Sequence, residues 1–455
     1  MPEESTVPEE SLGPAESIGP EMQTVPLSRN RNYQVLWVSQ VLSGIGLSAS
    51  MIAFPLLVLA LTGSAAKSGL VLGAITMAQL LAGLPAGALV DRWNRKTIML
   101  ACEAIQMIAA VSLVAALWWN VVPIWYLIVV GAVIGICGAL FRPAETAYVS
   151  RVVPADQLAA AVALNAARGS VAQLSGTAAG GFLFALARFV PFIADAVAHG
   201  LACILLLFLR VPPRQAQSAP TRQLSREIMD GLRWVWANRH IRVTALCAVV
   251  LNLFISAFYL IVIVLAEARG ISSGQIGIIA AMLGVGGLVG SLAAAGLSQR
   301  VSPYASIITV LWGLGGLTLV AAFAGSGWML GLLFAAMALL PPTANTTIIT
   351  RQLLLTPDDL RGRLSSVLGI VTGVAAALGP VVGGLLASVL SGTHAVLVCA
   401  GGIAAVAVVA TLSPTLRSFP RQPVIVESPG AEPEPAAETT SIRSTDHQNA
   451  PEKGN

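Results

Sequence analysis

Six ionisable side chains stand inside or at the edge of long apolar stretches of this 455-residue sequence: Glu103, Arg142, Glu145, Arg168, Asp195 and His199. Charged groups in such surroundings are rare, and by default they mark proton or substrate paths. Asp195 and His199 are one helical turn apart on the same face. A carboxylate beside an imidazole, where desolvation and pairing compete, exchanges protons near neutral pH. Helical rise places Arg168 roughly 15 Å into one apolar stretch, and Asp195 and His199 roughly 9 and 15 Å into the next, entered from the opposite side. These levels allow the three to meet. They form a candidate proton-coupling group centred on Asp195 and modulated by His199 and Arg168; the plainer alternative is a buried ion pair that fixes two helices. Glu103 is a further candidate, either unpaired or paired across helices. Glu145 is placed to meet Arg92 or Arg95 as a gate, or to make an ordinary salt bridge.

These residues need helices in lipid to position them. Hydrophobic residues make up 56% of the chain and charged residues 11%, against about 25% charged in a soluble domain. The apolar residues fall in blocks of the length, about 20 residues, that crosses hydrocarbon. Twelve spans are predicted: 34–61, 68–90, 97–119, 122–147, 158–186, 189–210, 241–266, 274–297, 304–325, 328–350, 362–390 and 393–413. The fold class is therefore an all-α integral membrane protein of two pseudo-symmetric six-helix bundles. The expected organisation is a disordered cytoplasmic tail over 1–32, one bundle over 33–210, a cytoplasmic linker over 211–240, a second bundle over 241–413 and a disordered cytoplasmic tail over 414–455. The first residues carry no basic n-region, so the first block reads as an uncleaved span. Within the linker, Leu224, Ile228, Leu232, Val235 and Trp236 recur at helical spacing among arginines, which predicts an amphipathic helix on the membrane surface. With the N-terminus inside, and leaving out the intramembrane Arg142 and Arg168 and the distal tail residues Arg443 and Lys453, nineteen Lys and Arg side chains fall on the inner side and three (Lys67, Arg188, Arg269) on the outer. That asymmetry requires an even number of spans and both termini in the cytoplasm.

The chain also repeats itself. Gly176, Gly180 and Gly181 near the end of the fifth span match Gly379, Gly383 and Gly384 near the end of the eleventh, 203 residues on. Pro154 and Asp156 match Pro357 and Asp359 at the same offset. Parallel repeats with a substrate held between them are a transporter design.

The loop between spans 2 and 3 reads Gly87-Ala-Leu-Val-Asp91-Arg92-Trp-Asn-Arg95-Lys96. It resembles the G-x-x-x-D-R-x-x-R-K signature of the major facilitator superfamily. Gly87 permits close approach of a helix, Asp91 can cap the positive end of a neighbouring helix, and the cations can pair with inner-face carboxylates. The equivalent loop, Ala295 to Arg300, has lost the acid. Asn30-Arg-Asn-Tyr33, Thr62-Gly-Ser64, Phe141-Arg-Pro143-Ala144 and Leu360-Arg-Gly-Arg363 narrow the resemblance to the drug and siderophore exporter branch, similar to macrolide efflux proteins and the enterobactin exporter. It runs from about residue 30 to 413. It implies proton-driven export.

The departures from the family pattern matter. The antiporter motif of exporters carries a proline on span 5, where this chain has Thr177; Pro380 stands on span 11, where it kinks the helix or leaves small residues for packing. The acid expected after the glycine of mid-span 1 is Leu47, after Gly46, so any proton coupling rests on another acid. The family's arginine three residues after the acid of span 3 is Gln106.

Gln40, Gln79, Gln106, Asn252 and Tyr259 are the substrate-cavity candidates. Neutral polar residues of this kind suit a bulky amphipathic molecule better than a highly charged one. The expected partners are that small molecule, protons and the lipid bilayer, with a monomeric chain and no nucleic acid. No phosphate-binding loop, metal-ligand cluster or nucleophile signature occurs, so no cofactor and no enzymatic role are expected. The five cysteines read as buried small hydrophobes. Import on the same fold and a membrane sensor are the alternatives.

Overall fold

A computed structural model describes residues 26–209 and 224–418; within the helices it leaves the side chain of Asp91 and a few others outside the described set. The expected disorder of the two tails falls largely on residues outside that set. Pro414–Arg417, at the head of the second tail, is instead a helical turn with Leu416 buried.

The described residues are helical with no strand. The first six helices are α1 (Arg31–Thr62), α2 (Ala65–Arg92), α3 (Arg95–Trp118), α4 (Ile124–Val152), α5 (Leu158–Leu186) and α6 (Val190–Leu207). After α7 (Leu224–Ala237) come α8 (Arg239–Ala268), α9 (Ser273–Arg300), α10 (Pro303–Ala322), α11 (Gly327–Leu339), α12 (Pro341–Leu354), α13 (Asp358–Val389) and α14 (Gly392–Leu412), and the turn at Pro414–Arg417 is α15. Ser and Asn cap many starts: Asn30, Ser64, Asn94, Asn238, Ser272, Ser302, Ser326 and Ser391 each accept a backbone N–H of the first turn, satisfying a donor the helix leaves open. Gly63 and Gly270 close α1 and α8 in the left-handed region, with φ of 61° and 73°, a conformation that glycine adopts without strain.

Eleven stretches are long and apolar enough to cross a membrane. One of them is α11 and α12 together, interrupted where Pro341 and Pro342 cannot continue the backbone ladder. The helix α5 is 29 residues long, but Asn165, Arg168, Gln173 and several small polar residues dilute its apolar content. It completes twelve spans in two sets of six.

The glycine repeat becomes packing. On α5, a Cβ at Gly176 would lie 2.5 Å from Ser48 Cβ, and one at Gly180 2.7 Å from Ala49 Cα, both on α1. On α13, a Cβ at Gly379 would lie 2.8 Å from Leu253 O, and one at Gly383 2.9 Å from Ala257 Cα, both on α8. The third glycine of each set faces the other half: Gly181 lies against Gly277 of α9, and Gly384 against Ala65 of α2. The same motif thus joins each half internally and to its partner, by the close approach small residues permit in lipid.

The amphipathic α7 lays Gly231 and Val235 onto the start of α13 and leaves Met229 and Trp236 exposed. The side chains of Leu224 and Ile228 lie outside the described set.

Candidate functional site

One end of the molecule carries Arg92, Arg95, Lys96, Arg151, Arg239, Arg242, Arg351 and Arg361, at the ends of α2, α4 and α12 and the starts of α3, α8 and α13. At the opposite end the halves are pressed together. Phe54, Leu57 and Leu127 share an apolar cluster there with Ile263 and Ile276 of the second half. Along α2, Gly69 meets the backbone of Pro380 and Gly73 lies 2.9 Å from Ala377 O by its Cβ position. Gly87 lies five turns from Gly69, on the same face, yet a Cβ there would meet nothing within 4 Å, and neither would one at Gly83, Gly362 or Gly369. The two halves therefore separate toward the basic end, and the space between α2 and α13 opens on that side.

Within the first half, a polar cluster is sealed between α1, α3 and α6. Glu103, Asp195 and His199 are 1%, 3% and 2% exposed. His199 Nδ1 stands 2.6 Å from Glu103 Oε2, and His199 Nε2 3.3 Å from Asp195 Oδ1. Gln40 Nε2 donates to Glu103 Oε1 at 3.1 Å. Glu103 lies eight residues after the start of α3 and His199 eight before the end of α6, so antiparallel helices bring them to one level, roughly 12 Å from the basic end. Gly46 lets α1 approach this group: a Cβ there would lie 2.7 Å from Ala198 Cβ and 3.0 Å from Asp195 Oδ1. Leu47 packs into the neighbouring apolar cluster. Two carboxylates around one imidazole can hold two charge states that differ by a proton, and burial makes that difference consequential.

Arg168 is not part of this cluster, contrary to the sequence expectation. It pairs with Glu145 of α4 at 2.8 Å. Side chains lean toward the N-terminus of their own helix. Arg168 therefore leans toward the basic end, and Glu145, seven residues before the end of α4, leans up to meet it, whereas Asp195, twelve residues before the end of α6, starts deeper and leans deeper still. This pairing also replaces the expected contact of Glu145 with Arg92 or Arg95. Among the described side chains, Lys96 finds main-chain carbonyls rather than carboxylates: it donates to Leu207 O at 2.7 Å and Leu209 O at 2.8 Å, at the end of α6. Arg95 donates to Ala147 O at 2.9 Å and Asn30 to Val152 O at 2.6 Å, both in the last turns of α4. The signature loop thus places cations on helix C-termini, where the macrodipole favours them. The capping role expected of Asp91 falls outside the described side chains.

The cavity candidates divide. Gln40 serves Glu103, and Gln106 is buried against its own helix, donating to Cys102 O at 3.4 Å; neither stands in the space between the halves. Gln79 on α2 and Asn252 on α8 are exposed, and Tyr259 packs beside Phe334 with ring centroids 6.3 Å apart. The link from Glu103 to His199 escaped sequence reading as a specific pair, because it joins residues 96 apart.

Twelve spans in two glycine-joined halves, open at one end, define a membrane transporter of the major facilitator fold. Residues 23–440 match the family described as "Transmembrane secretion effector", and the chain belongs to that family. It is 29% identical over 406 residues to the multidrug efflux pump Tap of Mycobacterium tuberculosis, covering 84% of this chain and 93% of that protein. It is 28% identical to the multidrug resistance protein MdtG of Citrobacter koseri, covering 83% and 93%. It is 24% identical to the class C tetracycline resistance protein of Escherichia coli, covering 70% and 79%. Among solved structures, the nucleoside transporter NupG superposes with a TM-score of 0.71 at 12% identity, over 86% of this chain and 100% of that one. A bacterial homologue of the lysosomal transporter Spinster gives 0.67 at 17%, over 86% and 98%. These two carry the fold alone. The chain is a multi-pass membrane transporter and not an enzyme.

Proposed function

We propose that this protein exports a small amphipathic molecule, a drug, siderophore or secondary metabolite, from the cytoplasm across the cell membrane by proton antiport. The basic end is cytoplasmic, both termini lie on that side, and the two halves rock about the space between them to expose it alternately. A single chain supplies both halves, so it works as a monomer. The efflux pumps among its relatives support the direction and the substrate class.

The observation that carries proton coupling is the buried Glu103–His199–Asp195 cluster. Taking up one proton changes its charge without needing any further cation. The cluster touches α1 through Gln40 and Gly46, and α1 in turn packs on Gly176 and Gly180 of α5, whose outer end holds the second half. Protonation can thereby bias which end of the molecule is closed, as a switch requires differential contacts in its two states.

Inverted membrane vesicles from an overproducing strain, energised with an acid interior, test this reading. Tetracycline or a fluorescent cationic dye should accumulate inside them, and a protonophore should abolish the accumulation. Uptake into right-side-out vesicles instead would turn the reading to import.

A further inference from the structure

A second site lies on the lipid-facing side of the first half. Between α3 and α4 runs a groove of about 700 Å³. These helices pack chiefly on α6 and α2 of their own half, so the groove is away from the space between the halves. Its polar lining residues, Arg92, Asn94 and Thr97, all stand at the basic end. Beyond Thr97 the walls are Ile98, Ile105, Val133, Ile136 and Leu140, with the thiols Cys102 and Cys137. From Thr97 to Ile105 the apolar channel is roughly 12 Å long. Ile105 and Ile136 are 45% and 41% exposed, so the groove opens sideways toward hydrocarbon.

We propose that this groove seats an acyl chain of an anionic phospholipid, with the phosphate held at Arg92. The polarity gradient matches an amphiphile standing along the membrane normal, its charged head at the basic end and its tail toward the membrane centre. A guanidinium offers several donors in a planar fork that fits phosphate. Lys96, in the adjacent turn, donates to main-chain carbonyls and adds a second positive charge near the mouth. Trp93 is 59% exposed at the mouth, the level at which indole rings settle among headgroups. Cys102 lines the groove and Glu103, the next residue, faces the buried cluster. A seated lipid therefore braces the helix that holds Glu103.

Native mass spectrometry of the full chain, equilibrated with equal amounts of phosphatidylglycerol and phosphatidylcholine, tests the assignment without reference to transport. The wild type should retain the anionic lipid about fivefold over the zwitterionic one. Arg92→Gln should remove the preference, and Ile105→Trp, which fills the groove, should lower retention of both lipids. Ile136→Phe provides the same test if Ile105→Trp fails to accumulate. Leu201→Trp, on the exposed face of α6, should change nothing. Equal retention of the two lipids by the wild type, or an unchanged preference in Arg92→Gln, would overturn the proposal. So would release of the lipid by saturating tetracycline, which would assign the groove to the transported compound.

Discussion

His199 Nδ1 lies 2.6 Å from Glu103 Oε2, tying α6 to α3 through one imidazole that also faces Asp195. His199→Leu removes that imidazole and leaves two buried carboxylates without their shared partner. Breaking a buried pair in this way costs on the order of 3–5 kcal/mol. Thermal unfolding in detergent should register the loss. Glu103→Gln, which keeps the shape and a hydrogen-bonding group, should be the milder change.

Gly46 sets how closely α1 approaches Asp195. Gly46→Ala places a methyl 2.7 Å from Ala198 Cβ, and overpacking of this kind costs about 1–3 kcal/mol. Gly83→Ala on α2 meets nothing within 4 Å and should be close to neutral. A matched pair of melting curves checks both. Equal destabilisation would show that the α1–α6 contact is not a tight one.

Lys96 clamps the C-terminal carbonyls of α6. Lys96→Met removes a cation from a helix C-terminus and should destabilise by about 1–2 kcal/mol. Lys96→Arg should recover most of the loss, because a long cation still reaches Leu207 and Leu209. Relative melting temperatures of the three proteins decide the point.

The opening at the basic end predicts a state-dependent crosslink. The register of α2 against α13, set by Leu80 beside Gly373 and Gly69 beside Gly384, brings Gly83 level with Gly369. In the present state a Cβ at either meets nothing within 4 Å. Cysteines at both positions should therefore crosslink only when the basic end closes, and the crosslinked protein should cease transport. Efficient crosslinking without loss of transport would contradict alternating closure at this end.

Much of the fold was legible because its signals are local. Apolar length marks eleven stretches, with α5 the weakest signal because polar residues dilute it, and the arginines gather at one end of the helices. The two glycine triplets announced the repeat that the structure realises as α5 on α1 and α13 on α8. The Asp195–His199 relation was legible for the same reason, since both stand on one turn of one helix. Glu103 with His199 was not legible as a pair, because helices that are apolar all round give no periodicity from which their rotation can be read. Gln40 was misplaced into the cavity on that account. Arg168 was misgrouped because depth counted along the backbone ignores the lean of long side chains toward their own N-termini.

The most direct test of proton-coupled export is proton movement itself. Purified protein in liposomes loaded with a pH-sensitive dye should show proton flux when tetracycline is added to the cytoplasmic face. Asp195→Asn and Glu103→Gln, at equal abundance in the membrane, should lose that flux while still exchanging labelled for unlabelled substrate at equilibrium. Undiminished substrate-driven proton movement in both variants would contradict the account and remove the buried cluster from the coupling mechanism.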